Sequence, residues 1–449
     1  MQTHIERFKS EILDAHETLR TAYAARTPKS RVALEAACHH LPAGVTRSNL
    51  YFKPYPPTME RAEGAILKDV DGHEYIDFIS DFAVAQSGHN NKHIAAALRD
   101  QLERGISYGA RTNLETELAQ LLQKRLPALA KLRFANSGTE ANLYAILTAR
   151  AFTQKPAIFV FDGGYHGGAL NFAMHDTRMQ APFETMSAPY NDIDAFRSVI
   201  KKNKDQLACV VMELMLNSGG CIPADPEFAR QVETICRDNG ILLIVDEVMT
   251  TRLGFHGLQG QYGMKPDLTT LGKIIGGGLP VGAFGGRAGI MAMFDQTEAG
   301  AAPHNGSFNN NVMTMTAGIT AMSQVLTEPV LGSVNALGDE LRRRLNQVFE
   351  ARNTPLCFAG AGSVMALHIG VSPPDHFVTH PLAAPIRSLF HMHVLSKGVW
   401  IAQRGMVALS IETTEAHTDQ FVEAVEDFVA CYGPLLQRLA GDPALAGAA

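Results

Sequence analysis

The sequence lacks the features of a secreted, membrane-bound or disulfide-stabilised protein. Six cysteines among 449 residues form no CxxC pair, a pattern that suits a reducing compartment. No apolar run approaches the roughly 18 residues that a membrane-spanning helix needs. The charged start, MQTHIERFKSEILDAHETLRT, has no apolar signal-peptide core. We therefore expect a cytoplasmic protein that does not bind membranes.

Net positive charge and metal motifs are also missing. The formal net charge of −6 argues against a general affinity for nucleic acid or anionic membranes. The 17 histidines include no HExxH, and HMH at 391–393 is too sparse to define a metal site. The segment AGAGS at 359–363 lacks the third glycine of a dinucleotide-binding GxGxxG loop. We predict neither a metal nor a dinucleotide site.

The middle of the chain alternates between helical and short apolar segments. Between about 115 and 330, helix-like runs such as ETELAQLLQKRL separate AIFVF (157–161), ACVVME (208–213) and ILLIVDE (241–247). Short β-branched runs between helices predict an α/β fold with a mainly parallel sheet that helices cover on both faces.

A chain of this length is expected to fold as more than one lobe. Residues 1–75 hold an amphipathic helix and a segment that contributes to a small domain. Residues 76–335 form the large domain with the parallel sheet. Residues 336–449 read as a smaller α+β domain, with a long helix, strand-like pieces and a last helix.

Two charged residues follow short predicted strands in the large domain. Asp246 ends an apolar run, and Lys273 follows another in TLGKIIGGGLP. The carboxyl ends of parallel strands meet at one edge of a sheet, where ligands bind. A lysine held away from water loses proton affinity and becomes a nucleophile. Each residue alone also fits a turn-capping acid or a lysine that reaches the surface.

Two further segments in the same region have the character of a cofactor site. In FANSGTEANLYAILTAR, the residues Ser137, Gly138 and Thr139 precede a helix and suit an anion, although they also suit an ordinary helix cap. In FDGGYHGG, Tyr165 or His166 can cover a planar ligand, or sit in a plain turn. A reactive lysine, an acid, an anion cradle and a flat ring together fit pyridoxal 5′-phosphate.

The order of these motifs resembles one enzyme family. SGTEA, YHGG, VDEV, LGK-x-x-GGG-x-P-x-GAFGGR and NGSFNNN follow one another as in the class III, fold-type I aminotransferases. The likeness is strongest to the branch with β-phenylalanine (β-amino acid) aminotransferases and glutamate-1-semialdehyde 2,1-aminomutase. It runs from about residue 40 to 430.

The resemblance implies a role for each matching residue. Lys273 would form the Schiff base with the cofactor and shuttle protons, and Asp246 would bind the pyridine nitrogen. Ser307 would reach the phosphate of a neighbouring subunit, which implies a homodimer. The remaining cofactor-binding residues would be Ser137, Gly138, Thr139, Tyr165, His166 and Glu213.

Two arginines are candidate handles for the substrate carboxylate, since a guanidinium forms two parallel hydrogen bonds with it. Arg47 lies in LPAGVTRSNLYF and Arg404 in VWIAQRGMVALS, and β-phenylalanine aminotransferases resemble this chain at both places. The resemblance implies a ping-pong exchange between a β-amino acid and a 2-oxo acid, with 2-oxoglutarate or pyruvate as acceptor.

One loop departs from the family pattern. Related enzymes read E-P-M/V-x-G-x-x-G where this chain reads ELMLNSGGC, so Glu213 is kept while Leu214 and Asn217 replace a proline and a glycine. The loop is expected beside the cofactor ring, where the change would reshape the substrate pocket. The alternatives are glutamate-1-semialdehyde aminomutase, an aminotransferase for ω-amines or amino sugars, and a cofactor-binding protein without turnover. The presence of both Lys273 and Asp246 argues against the last of these.

Overall fold

The structure is a computed structural model that describes residues 2–173 and 178–440. The outer ends of the first and third predicted domains, residue 1 and residues 441–449, lie outside the described residues. Its α-helices are Gln2–Arg26, Pro28–Cys38, Lys92–Arg104, Asn113–Arg125, Gly138–Thr153, Ile193–Asn203, Pro226–Asp238, Gly257–Gln261, Ala288–Met291, Val312–Thr320, Glu328–Ala351, Ala383–Ser396 and Glu415–Ala440. Its strands are β1 Met59–Glu63, β2 Ile66–Asp69, β3 Glu74–Asp77, β4 Lys131–Ala135, β5 Ala157–Phe161, β6 Thr185–Ala188, β7 Leu207–Glu213, β8 Met215–Leu216, β9 Ile222–Pro223, β10 Leu242–Asp246, β11 Leu268–Gly272, β12 Gly282–Gly286, β13 Leu356–Ala361, β14 Val364–Ile369, β15 Val399–Trp400 and β16 Met406–Ala408.

A seven-stranded sheet forms the centre of the molecule, with strand order β4-β12-β11-β10-β7-β5-β6. The three apolar runs of the sequence become β5, β7 and β10, which pair in parallel and are buried along their whole length. Burial of both faces explains why these strands read as continuous apolar runs. The predicted fold class is confirmed. Strand β12, which pairs antiparallel with β11 and β4, was not foreseen.

Smaller sheets connect the two ends of the chain. In a four-stranded sheet, β1, β2 and β3 from the N-terminal segment are joined by β15 from the C-terminal part. The first helix packs on the helix Ala383–Ser396. Strand β3 runs across the predicted boundary at residue 75, and the division at residues 75 and 335 stays a prediction. Within the described ranges, no helix is both long and apolar enough to cross a membrane.

A short left-handed turn follows β3. Ser80, Asp81, Phe82 and Ala83 have φ angles of 46°, 47°, 53° and 71°. None of them is glycine, and each such residue costs of order 1–3 kcal/mol, so the surroundings must hold the turn in place. Asp77 does part of this by accepting hydrogen bonds from the N–H groups of Ile79 and Ser80 at 2.8 and 3.0 Å.

Candidate active site

The ends of three neighbouring strands gather the charged residues of the site. Glu213 ends β7 and Asp246 ends β10, and these two residues are direct partners in the parallel ladder. Asp246 also pairs with Thr270 of β11, the strand that stops just before Lys273. Because parallel strands end at the same edge, residues far apart in sequence come together there. Glu213, Asp246 and Lys273 line one cavity together with Gly138, Thr139, Asn142, Tyr165, His166, Gly167, Asn217, Val248 and Met249.

Lys273 is partly buried and is the first residue of a short helical turn, Lys273–Gly276. Its φ angle is 51°, in the left-handed region that lysine rarely adopts. Withdrawal from water lowers the pKa of its amine, against the attraction of Asp246 and Glu213, which acts in the opposite direction. A lowered pKa makes the unprotonated, nucleophilic amine more available near neutral pH.

Asp246 is buried and held by three donors. One carboxylate oxygen accepts hydrogen bonds from His166 Nδ1 and Asn142 Nδ2, each at 2.8 Å, and the other accepts from the Val248 N–H at 2.9 Å. Thr270 in turn donates its hydroxyl to Asn142 at 2.7 Å. The carboxylate is therefore fixed in one orientation.

His166 lies beside this carboxylate and is fully enclosed. Burial alone would lower the pKa of His166, but the hydrogen bond and the charge of Asp246 outweigh burial, so the pKa is raised. The sequence suggested His166 as a ring that covers the cofactor, whereas the structure places it against Asp246. Asn142 and Thr270 were not predicted, and the only signal for them is a polar side chain at a buried position.

The helix that begins at Gly138 presents its N-terminus to the cavity. Gly138 and Thr139 line the cavity, whereas Ser137 caps the helix by accepting a hydrogen bond from the Glu140 N–H at 3.1 Å. A Cβ on Gly138 would meet Val248 Cγ1 at 2.9 Å, so a larger residue would push the helix away. Lys273 is the only lysine or arginine among the described residues lining the cavity.

Glu213, which lines the cavity, joins two loops. Its carboxylate accepts hydrogen bonds from the N–H groups of Tyr165 at 2.9 Å and Asn217 at 3.2 Å. Burial raises the pKa of Glu213 to about 7, with Asp246 adding to the increase and His166 opposing it. Asn217 Oδ1, in the loop that departs from the family, is buried with no hydrogen-bond partner among the described residues.

The two candidate arginines are not among the residues that line the cavity. Both lie near the ring of Phe82, and we call this pair the arginine rim. Arg404 donates from Nη1 to Ser218 Oγ and from Nη2 to Met406 Sδ, both at 3.0 Å, while its buried Nε has no partner among the described residues. Burial lowers the pKa of Arg404. Arg47 is about half exposed and donates from Nη1 to Asp81 at 2.6 Å.

Ser307 does not join the cavity within this chain. It is exposed in the segment 300–311, whose residues line a different cavity with Arg111, Arg133 and Glu115. Its predicted phosphate contact therefore depends on a second subunit.

Lys273, Asp246, Asn217 and the start of the helix at Gly138 form a donor set that fits pyridoxal 5′-phosphate. An amine can take the aldehyde, a fixed carboxylate can take the ring nitrogen, and backbone N–H groups can take the phosphate. The unpaired Asn217 oxygen leaves one polar contact for a ligand. The residues present match the chemistry that the sequence predicted.

Comparisons with known proteins agree with this chemistry. The family model for aminotransferase class III matches residues 51–429. The β-phenylalanine transaminase of Variovorax paradoxus is 40% identical over 92% of this chain and 95% of its own. A glutamate-1-semialdehyde 2,1-aminomutase of Methanosarcina acetivorans is 36% identical over 78% of this chain and 85% of its own.

Solved structures give the same picture. The crystal structure of the β-phenylalanine aminotransferase from Variovorax paradoxus superposes with a TM-score of 0.92 at 38% identity, over 95% of this chain and 99% of that one. An ω-transaminase from Sphaerobacter thermophilus gives a TM-score of 0.86 at 35% identity, over 89% and 97% of the two chains.

Proposed function

This chain belongs to the class III aminotransferases, which depend on pyridoxal 5′-phosphate, and we propose that it moves the amino group of a β-amino acid to a 2-oxo acid. The name of the Variovorax paradoxus relative makes β-phenylalanine the first donor to test. In the first half of the exchange the donor leaves as a β-keto acid. In the second half 2-oxoglutarate or pyruvate takes the amine.

The proposal rests on the incomplete hydrogen bonding of Arg404. This partly buried guanidinium has no carboxylate partner among the described residues, and its Nε is unpaired. A buried donor without a partner costs about 1–3 kcal/mol, which a substrate carboxylate would relieve. An amine without a carboxylate would leave that cost in place, so Arg404 favours an amino acid over a plain amine.

Lys273 and Asp246 divide the chemical work. The cofactor, when bound, supplies an aldehyde and a ring that accepts electrons. Lys273 holds the cofactor and moves a proton to and from the donor carbon, because burial lowers the pKa of its amine. Asp246, oriented by His166 and Asn142, keeps a proton on the ring nitrogen.

Other residues of the cavity position the cofactor. Gly138 and Thr139 offer backbone N–H groups to the phosphate, and Ser137 fixes the start of their helix. Tyr165 covers the ring, and its backbone is held by Glu213. Arg47 and Arg404 bind the substrate carboxylates outside this cavity.

The active form in this proposal is a homodimer in which Ser307 contacts the partner's phosphate. Asn310 and Asn311 donate hydrogen bonds to the carbonyls of Ala110 and Ile106, which joins two exposed segments into one surface. Ile106 and Phe308 on that surface are 54% and 66% exposed, as expected of a face that a second copy covers. Light scattering that found only monomers would contradict this assembly.

A reducing compartment is part of the proposal. All six cysteines are free thiols, and four of them are buried. Fractionation of cells that express the tagged chain would test the cytoplasmic location.

The function is tested by incubating the enzyme, loaded with pyridoxal 5′-phosphate, with β-phenylalanine and 2-oxoglutarate. We expect glutamate and the β-keto acid in equal amounts. 1-Phenylethylamine, which has the same ring and no carboxylate, is the matched donor and should react much more slowly. Equal rates with both donors would instead identify an ω-amine transaminase.

A second candidate is an aminomutase, because relatives with that name match this chain at 34–36% identity. An aminomutase moves the amine within one molecule and needs no acceptor. Isomerisation of glutamate-1-semialdehyde without any transfer to 2-oxoglutarate would favour this candidate over the first.

A further inference from the structure

The left-handed turn at residues 80–83 is tied to the strand that follows Arg404. Ser80 donates its hydroxyl to the carbonyl of Ala408 at 2.9 Å, and the Ala408 N–H donates to the carbonyl of Phe78. Ala408 ends β16, which begins two residues after Arg404. The turn and the arginine therefore keep a fixed relation to each other.

The turn presents one aromatic ring to both candidate arginines. The guanidinium carbon of Arg47 lies over the Phe82 ring, 4.9 Å from its centre, and that of Arg404 lies 5.9 Å from the same centre. The two cations are thus at most about 10.8 Å apart, the sum of those distances. An aromatic face attracts a cation, so one ring draws together two groups that repel each other.

Each arginine keeps nitrogen atoms that can still bind a ligand. Asp81 accepts from Nη1 of Arg47 only, and no described residue bonds its Nε or Nη2. Nε of Arg404 likewise has no hydrogen-bond partner in the described part of the chain. Phe82 itself packs against the large apolar core that contains Met215, Cys221 and Met406, so its ring cannot easily turn aside.

We propose that Phe82 is a specificity-determining residue that sets the spacing of the two carboxylate-binding arginines. It acts through Arg47 and Arg404 and is a positioning residue, not a catalytic one. This assignment rests on the carboxylate-binding role given to the two arginines under the proposed function. Because the ring lies against both cations, a change at Phe82 affects the carboxylates of the donor and of the acceptor alike.

The test measures binding to the enzyme loaded with pyridoxal 5′-phosphate by titration calorimetry. The probe is 3-phenylpropanoate, which has a carboxylate and no amine, and 2-phenylethanol is its carboxylate-free counterpart. We expect Phe82→Leu to weaken 3-phenylpropanoate by about tenfold, because the aromatic face is lost while an apolar side chain remains. Binding of 2-phenylethanol should change less than about twofold, and Phe82→Tyr should restore the carboxylate probe.

Phe82→Met is measured in parallel, so that a folding defect in one variant does not decide the result. Equal weakening of both probes would make Phe82 an ordinary apolar wall and overturn the assignment. So would unchanged binding of 3-phenylpropanoate, or no binding of it by the wild-type enzyme.

The two proposals fail separately in this design. If the wild-type enzyme forms no glutamate from β-phenylalanine, but substitution of Phe82 still weakens 3-phenylpropanoate, the proposed donor is wrong and the role of Phe82 stands. If glutamate forms but substitution of Phe82 does not weaken 3-phenylpropanoate, the donor stands and the positioning role of Phe82 is wrong.

Discussion

The base of the cavity, around Asp246, and the arginine rim differ in how completely their polar groups are paired. At the base, Asp246 receives three hydrogen bonds, and its partner Asn142 is itself held by Thr270. At the rim, the buried Nε of Arg404 has no partner among the described residues, and Arg47 is about half exposed. The hydrogen bonds of Asp246 are complete without a ligand, whereas in the proposed function a substrate carboxylate supplies the partner that Arg404 lacks.

This difference separates two tasks. A cofactor that stays bound is best met by groups already fixed in place, because nothing then needs to reorganise during the reaction. Substrates that alternate need donors that are free each time. The unpaired Nε of Arg404 and the left-handed turn each cost about 1–3 kcal/mol of stability, and in the proposed function the binding of a carboxylate offsets the cost at Arg404.

The largest expected effect comes from removing the amine at the base. Lys273→Ala should lower the rate by about 10⁴-fold or more for every substrate, since both the covalent attachment and the proton transfer are lost. The enzyme should also lose the visible absorbance of the bound cofactor. Lys265→Ala, at an exposed lysine beyond the opposite end of β11, is the control and should behave as wild type.

A smaller but equally uniform loss is expected for Asp246→Asn. An amide cannot keep the ring nitrogen protonated, so kcat should fall by about 10²–10³-fold with carboxylated and plain amines alike. Single-turnover kinetics with both donors measure this, with the exposed Asp238→Asn as control. A loss confined to carboxylated donors would mean that Asp246 belongs functionally to the rim.

The rim should distinguish substrates where the base does not. Arg404→Gln should raise KM for carboxylated donors by about 10- to 100-fold, since a charged hydrogen bond is lost, and leave plain amines nearly unchanged. Arg343→Gln, an exposed arginine paired with Glu340, is the matched control. Equal effects on both donors would remove Arg404 from carboxylate binding.

The smallest expected effect concerns stability without cofactor. The pKa of Lys273 is lowered by folding, so between its folded and unfolded pKa values the unfolded chain binds more protons. The contribution of Lys273 to stability should therefore improve as pH rises toward 10.5, the ordinary lysine value. Thermal unfolding of the cofactor-free protein should show this slope, and Lys273→Met should reduce it.

The base of the site could be predicted from the sequence better than the arginine rim. The apolar runs that became β5, β7 and β10 are local signals, and Asp246 and Lys273 follow directly from where strands end. The fold class and the cofactor were therefore predictable.

The turn at Phe82 was not predictable, because no glycine marks it. Its conformation is imposed by Asp77 and by Ala408, a residue more than 300 positions away. The contact between Asn142 and Asp246 also spans more than 100 positions. Such placements depend on tertiary packing, which a local pattern does not contain.

A short connection between two paired strands carries Lys273. Strands β11 and β12 are adjacent and antiparallel, so residues 273–281 are anchored at both ends to the same sheet. Movement of that backbone would disturb the pairing of β11 with β12, so in the proposed mechanism the reach of the amine is set by its own four-carbon side chain. A longer or shorter amine at this position, such as the thialysine formed from a cysteine variant, would thus change the reach of proton delivery without altering the scaffold.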